Sequence, residues 1–217
     1  MSIKILLIDD HSMMRHGLRA MLVEEPDIKI VGEAADGRTA LDLVRTLSPD
    51  VVVMDIGMPD LNGIEATRRI RAEYPNVKVV ALSTHGDKRY VHYMLKAGAS
   101  AYVLKMSAFN ELVQAVRAAR FGQTYLSPEI AGAVIARAMQ TQAPSEVSAY
   151  STLTSREREV LQLVAEGKAS NEIAAEMHIS IKTVETHRRN IVQKLGLHGT
   201  AELTKYAIRE GLTSVDG

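Results

Sequence analysis

The chain has 217 residues, with 26 basic and 26 acidic side chains, no cysteine and 46% hydrophobic content. That length is generous for one small α/β domain, and the missing cysteine excludes a disulfide framework or a thiolate metal site. Formal neutrality withholds the basic signature of a general nucleic-acid binder. No apolar run could span a bilayer, and Asp9-Asp10 interrupts any signal-peptide pattern, so a cytoplasmic protein with no membrane partner is expected.

In chain order, Lys4 to Ile8 is an apolar run ending in Asp9-Asp10. A helix near Met13 to Glu24 follows, with Ser12 as its expected cap. Ile28 to Val31 reads as a strand, and a helix near Arg38 to Leu47 stops before Pro49. Val51 to Met54 runs into Asp55, Val77 to Leu82 into Ser83, and Ala101 to Leu104 into Lys105. Helices fit near Ile64 to Glu73, Lys88 to Ala97 (stopped by Gly98) and Asn110 to Phe121. The runs at Val51-Val52-Val53 and Val79-Val80-Ala81-Leu82 lack alternation, as strands covered on both faces do. Five βα units, and therefore an α/β fold with a doubly wound five-stranded parallel sheet, are predicted.

In such a sheet the strand ends share one carboxyl edge, where open α/β folds place ligands. A lone Asp after an apolar run is usually a turn or cap residue. Three acids, a hydroxyl and an ammonium on four strand ends together suggest phosphoryl chemistry. Carboxylates about 4 Å apart repel by roughly 4 kcal/mol at an effective dielectric near 20, so Asp9, Asp10 and Asp55 call for a divalent cation. Oxygen ligands beside a phosphate suit Mg²⁺. Asp55 would be the nucleophile, with Lys105 neutralising the incoming group and Ser83 bonding one of its oxygens.

Residues 1–122 resemble the receiver domain of two-component response regulators, a flavodoxin-like fold. The matching stretches are Leu6-Leu7-Ile8-Asp9-Asp10, Asp55-Ile56-Gly57-Met58-Pro59 with Asn62-Gly63, Leu82-Ser83, and Lys96-Ala97-Gly98-Ala99 leading to Tyr102-Val103-Leu104-Lys105. The resemblance implies that Asp55 is the phosphoacceptor. It also implies that Asp10, Asp55 and the Gly57 carbonyl hold Mg²⁺ directly and Asp9 through water. Ser83 and Tyr102 match the family's switch pair, and a separate sensor histidine kinase is the implied donor. Two positions depart from the commonest pattern. Met106 stands where many receivers have proline. Gly57 stands where many carry a side chain that positions hydrolytic water, so slow self-dephosphorylation is expected, with His85 as the nearest substitute.

Gly122 to Leu126 leaves the sheet domain, and Ser127-Pro128 is an expected cap and first position for a helix to about Met139. Gln140 to Thr152 is polar and reads as linker, completing a connecting segment 123–152. An all-helical pattern follows. Thr154 and Glu157 form a capping box opening a helix to Glu166, which Gly167 ends. A short helix near Asn171 to Met177 and a longer one from Ser180 to Leu195, closed by Gly196, are joined by a tight turn. Thr200 opens the last helix. Four short helices so arranged make a helix-turn-helix unit.

On the third of these, Ile181, Val184, Ile191, Val192 and Leu195 share an apolar face. Lys182, Thr186, Arg189, Asn190 and Gln193 lie opposite, with Thr183, His187 and Lys194 on a flank. Such an outward face offers partners for base edges and phosphates together, although an ordinary solvated face would look similar. Arg188 falls among the apolar positions and is expected to snorkel to a phosphate. Residues 151–217 hold nine basic and nine acidic groups, so the basic excess is local to Lys182, Arg188, Arg189 and Lys194 against Glu185. Modest nonspecific DNA affinity and reliance on dimerisation follow.

Residues 153–215 resemble the LuxR/GerE type of DNA-binding domain. The motifs are Leu153-Thr154-Ser155-Arg156-Glu157-Arg158-Glu159-Val160-Leu161, Ser170-Asn171-Glu172-Ile173-Ala174, Ser180 through His187, and Lys194-Leu195-Gly196-Leu197. Receiver plus this domain resembles the NarL/FixJ subfamily. That implies a phosphorylation-activated homodimer on double-stranded DNA, with Glu185, Thr186 and Arg189 toward bases and Thr183, His187, Arg188 and Lys194 toward the backbone. Two rivals remain at this point. A phosphohydrolase on a similar sheet would want an acid where Gly57 stands, and a phosphorylation-independent DNA binder would not need the complete acidic set. His11 reads as an exposed loop residue, and His178 and His198 lack metal-ligand companions.

Overall fold

In the computed structural model, residues 2–84, 88–107, 109–132, 134, 149–197, 199–210 and 212–213 are described. The chain divides into two compact units, Met1–Gln142 and Ala143–Gly217. His85, His198 and most of the expected helix beyond residue 132 lie outside the described residues, as does Gln140 to Ser148 of the linker.

The first unit alternates β1 (Ile3–Ile8), α1 (Ser12–Val23), β2 (Ile28–Ala34), α2 (Gly37–Leu47), β3 (Val51–Asp55), α3 (Gly63–Glu73), β4 (Lys78–Ser83), α4 (Lys88–Ala97), β5 (Ala101–Leu104), α5 (Phe109–Arg120) and β6 (Tyr125–Leu126). The sheet order is β2-β1-β3-β4-β5-β6, and every pairing is parallel. Ile5, Leu7, Val51, Val53, Val80, Leu82 and Val103 form one face, packed on Leu22 of α1 and on Leu112, Val113 and Val116 of α5. The alternate residues Leu6, Ile8, Val52, Met54, Val79 and Ala81 are buried on the opposite face. Both faces are covered, which is why the strands read as unbroken apolar runs.

The sheet has six strands, one more than the sequence predicts. Two residues are too short to show a strand period, and β6 exists because it adds to the exposed edge of β5. Tyr125 pairs with Ala101 and Leu126 with Tyr102. The segment expected to leave the domain therefore extends it. Ser127 follows, fully buried. Its carbonyl accepts from the Ile130 and Ala131 amides, placing it at the start of a helical turn. Its hydroxyl does not cap that turn but donates to Glu111 at 2.7 Å.

Ser12 is likewise not the cap of α1. His11 occupies that position without a side-chain bond to the helix, and Ser12 is already helical. Gly98 does end α4 with φ 102°, the left-handed region that favours glycine.

The first described element of the second unit is a 3₁₀ turn at Ala149–Thr152, inside the stretch read as linker. Its helices are α6 (Ser155–Ala165), α7 (Ser170–Glu176), α8 (Ile181–Leu195) and α9 (Thr200–Glu210). The capping box holds as expected: Thr154 accepts from the Glu157 amide, and Glu157 accepts from the Thr154 amide. Ser180 caps α8, and Gly196 closes it in a left-handed conformation. Val160, Leu161, Ile173, Val184, Ile191, Leu203 and Ala207 supply the core. The turn between α7 and α8 places His178 at φ 54°, a left-handed position that histidine tolerates better than most side chains. Ile181, the first residue of α8, departs from expectation: it is 52% exposed.

Candidate functional site

The carboxyl edge gathers the predicted groups. Asp9 follows β1, Asp55 ends β3, Ser83 ends β4 and Lys105 follows β5. Asp9, Asp55 and Ser83 are buried, and Tyr102 is fully enclosed with its ring inside the unit. The Lys105 amide donates to the Ser83 carbonyl at 2.7 Å, which registers these two strand ends. Lys105 Nζ then reaches Asp55 Oδ2 at 2.7 Å and Asp9 Oδ2 at 2.8 Å.

Backbone donors steady the acids. The Ile56 amide donates to Asp55 Oδ1 at 2.7 Å, and the His11 amide to Asp9 Oδ1 at 2.9 Å. Asn62 caps α3 by accepting from the Glu65 amide. The Gly63 amide donates to the Ile56 carbonyl at 3.0 Å. A Cβ on Gly63 would stand 1.9 Å from the Asp55 carbonyl, so only glycine lets α3 approach the acceptor strand this closely. The sequence signal for that role was the Asn62-Gly63 pair, a helix-start residue followed by the smallest one.

Burial and the neighbouring Asp55 charge push the Asp9 carboxyl above the usual carboxylate value, with Lys105 opposing them in part. Burial alone would lower the Lys105 ammonium, but the Asp55 charge and bond outweigh it and hold Lys105 above the usual lysine value. Three carboxylates face one ammonium. Asp9 Oδ2 is held by Lys105 at 2.8 Å, whereas Asp10 Oδ1 is buried with no hydrogen-bond partner. A buried, unsatisfied oxygen amid excess negative charge fits a hard divalent cation. Gly57 is exposed beside them. Among the described residues no peptide bond is cis, Lys105–Met106 included.

Sequence reasoning missed His11. Its Nδ1 lies 2.8 Å from Asp10 Oδ1 and 3.4 Å from Asp9 Oδ1, although most of the side chain is exposed. Its place directly after the acidic pair was the available signal.

On α8, Lys182, Glu185, Thr186, Arg189 and Lys194 are exposed, while Thr183, His187 and Arg188 are half-buried. Several of these groups are already engaged. Thr183 bonds the Ser180 cap, and the Thr186 hydroxyl donates to the Lys182 carbonyl at 2.9 Å. Arg188 reaches Ser170 Oγ at 3.3 Å and Thr200 Oγ1 at 3.5 Å, tying α8 to α7 and α9. Ser170 in turn donates to Glu185. Lys194 Nζ sits 2.7 Å from Glu157 Oε2. Burial raises the Glu157 carboxyl, but the bonds from Lys194 and Thr154 outweigh it and hold Glu157 below the usual carboxylate range.

The parallel sheet with its acid-and-lysine edge, joined in one chain to a helix-turn-helix unit, defines a signal-responsive DNA-binding regulator. Residues 5–117 match the response regulator receiver domain family, and residues 151–207 match the bacterial regulatory proteins of the luxR family. The transcriptional regulatory protein LiaR of Bacillus subtilis is 42% identical over 212 residues, covering 98% of this chain and all of that one. The response regulator VraR of Staphylococcus aureus is 37% identical over 212 residues, covering 98% and 99%. Among solved structures, the response regulator ChrA of a heme-sensing two-component system is 35% identical, with a TM-score of 0.53 over 97% of this chain and 98% of that one. The chain belongs to the NarL/FixJ subfamily of response regulators, with a receiver and a LuxR-type DNA-binding domain. It is a transcriptional regulator and not an enzyme, which removes the phosphohydrolase reading. No described helix is long and apolar enough to cross a membrane.

Proposed function

We propose that Asp55 accepts a phosphoryl group from the phosphohistidine of a sensor kinase, and that the phosphorylated receiver controls dimeric binding of the second unit to double-stranded DNA. A carboxylate oxygen of Asp55 forms the new bond to phosphorus as the histidine N–P bond breaks, its electron pair returning to the imidazole. The reading rests on one observation above all: the Lys105 ammonium spans two buried carboxylates, Asp55 and Asp9, at 2.7 and 2.8 Å. Lys105 is placed to follow the transferred charge, and Ser83 lies on the adjacent strand end to bond a phosphoryl oxygen.

Mg²⁺ would be held by Asp10, Asp55 and the Gly57 carbonyl, with Asp9 acting through water. When bound it offsets the charge that collects on the transferred oxygens. Tyr102 is the switch partner of Ser83. Moving a receiver from 1:99 to 99:1 takes roughly 5.5 kcal/mol of differential stabilisation, a magnitude within reach of a buried dianion held by an ammonium and a divalent cation.

We assign the receiver to residues 1–122, the connecting segment to 123–152, whose β6 adds to the edge of the receiver sheet, and the DNA-binding domain to 153–215. Lys182, Glu185, Thr186 and Arg189 form the DNA face of α8, flanked by Thr183, His187, Arg188 and Lys194. Arg188 and Lys194 reach phosphate by exchanging their present protein partners. The test is incorporation of phosphoryl label from a small-molecule donor with Mg²⁺. Asp55→Ala abolishes it and Asp10→Ala slows it, while undiminished labelling of Asp55→Ala would sink the assignment.

A further inference from the structure

His11 has no part in the chemistry above, yet its position is too closely constrained to be incidental. It caps α1 without a side-chain bond to that helix. Its amide is instead anchored on Asp9 Oδ1. The imidazole is 69% exposed, but Nδ1 turns toward the acids: 2.8 Å from Asp10 Oδ1, 3.4 Å from Asp9 Oδ1 and 4.0 Å from Asp55 Oδ2. One donor atom from each of Asp9, Asp10, His11 and Asp55 can be chosen so that all four lie within 4.8 Å of one another.

Those spacings have a meaning in coordination geometry. In an octahedral shell with metal–ligand distances near 2.1 Å, adjacent donors are roughly 3.0 Å apart and opposite donors roughly 4.2 Å. Nδ1 stands at the adjacent spacing from Asp10 Oδ1 and near the opposite spacing from Asp55 Oδ2. Asp10 Oδ1 is buried without a hydrogen-bond partner and faces that nitrogen. A cation shared by the two as adjacent ligands would satisfy both atoms.

We propose that His11 is a nitrogen ligand of the cation site, and that it turns an all-oxygen Mg²⁺ site into a mixed one favouring a first-row transition cation such as Mn²⁺. Imidazole is a poor ligand for Mg²⁺, which takes oxygen and water, and a better one for the first-row divalent metals, of which Mn²⁺ also suits the carboxylate and water ligands of this site. The presence of a site then depends on Asp10 and Asp55, and its preference among metals depends on His11. This rests on the reading of Asp10 and Asp55 as cation ligands.

The probe is Mn²⁺ alone, bound to the full chain without phosphoryl donor. Pulsed electron paramagnetic resonance of the bound ion shows coupling to an imidazole nitrogen in the wild type and none in His11→Gln. By titration, His11→Gln weakens Mn²⁺ about tenfold or more and Mg²⁺ by about twofold or less, so the preference for Mn²⁺ collapses. Mn²⁺ that binds with no nitrogen coupling, or with a coupling that survives in His11→Gln, overturns the role of His11 and leaves the acidic site standing. Mn²⁺ binding unaltered by Asp10→Asn overturns the cation site itself, and the ligand role with it.

Discussion

The ammonium of Lys194, near the end of α8, sits 2.7 Å from the Glu157 carboxylate that also closes the capping box at the start of α6. One carboxylate thus serves both a helix start and the orientation of the helix expected to enter DNA. Glu157 is 3% exposed, so its charge has little access to water.

Lys194→Ala strands that carboxylate and is expected to destabilise the second unit by about 1–2 kcal/mol. A buried pair broken on one side costs more, but the Lys194 side chain is 35% exposed and water screens it. Urea denaturation with hydrogen exchange across residues 153–165 measures the loss. On DNA, Lys194→Ala should flatten the salt dependence less than Lys182→Ala, whose exposed ammonium has no such partner among the described residues. Equal slopes would show that Glu157 does not hold Lys194 in solution.

The same pair sets a pH dependence. Glu157 is held below its ordinary value of 4.5. Its stabilisation is therefore fully present above that pH and is lost as pH falls through the depressed folded value. Stability of residues 153–165, followed by exchange between pH 7 and pH 3, should drop in that acid range. Lys194→Met should shrink the drop.

Arg189 and Arg188 are neighbours with opposite surroundings. Arg189 is exposed, and Arg188 is bonded to Ser170 and Thr200. Arg189→Ala should cost about 1–3 kcal/mol on a specific, roughly palindromic site and relax one or two base positions. Arg188→Ala should instead lower affinity for specific and scrambled duplexes alike and lower the melting temperature. Binding across a salt series separates them, and a uniform loss for Arg189→Ala would mark it as a phosphate clamp.

Two glycines by the acceptor should respond oppositely. A Cβ on Gly57 meets nothing within 4 Å, whereas one on Gly63 would collide with the Asp55 carbonyl. Gly57→Asn should fold normally and shorten the life of the aspartyl phosphate, which in the wild type is expected to persist for minutes to hours. Gly63→Ala should lose stability and phosphorylation together. Label retention without kinase or phosphatase, beside a denaturation curve, reads both. Wild-type label gone within seconds would contradict the role assigned to Gly57.

Ser127 has no exposed surface. It donates to Glu111, accepts from the Leu104 amide at 3.3 Å and touches the Ser107 hydroxyl at 3.2 Å. Ser127→Ala removes partners from both a carboxylate and an amide and should cost about 1–3 kcal/mol. Exchange at the Leu104 amide should rise ahead of the rest of β5.

Local chemistry was legible from residue types alone. The apolar runs of β1, β3 and β4 needed no tertiary knowledge, because a strand covered on both faces leaves no polar alternation. The convergence of Asp9, Asp55, Ser83 and Lys105 followed from parallel topology, which sends every strand end to one edge. The Thr154–Glu157 box and the Gly196 stop were visible because caps act within one turn of chain.

What the tertiary structure decided were choices between partners distant in sequence. β6 exists because the edge of β5 offers unpaired backbone groups, which two residues do not announce. The Ser127 hydroxyl turned from its own helix to Glu111 because burial left that carboxylate nearby. Arg188 and Lys194 found Ser170, Thr200 and Glu157 for the same reason. His11 became part of the acidic site because its amide is pinned on Asp9, which aims Nδ1 inward. A sequence states which groups can donate and accept. Which of several eligible partners each one takes depends on distances of a few ångströms, and packing alone sets those.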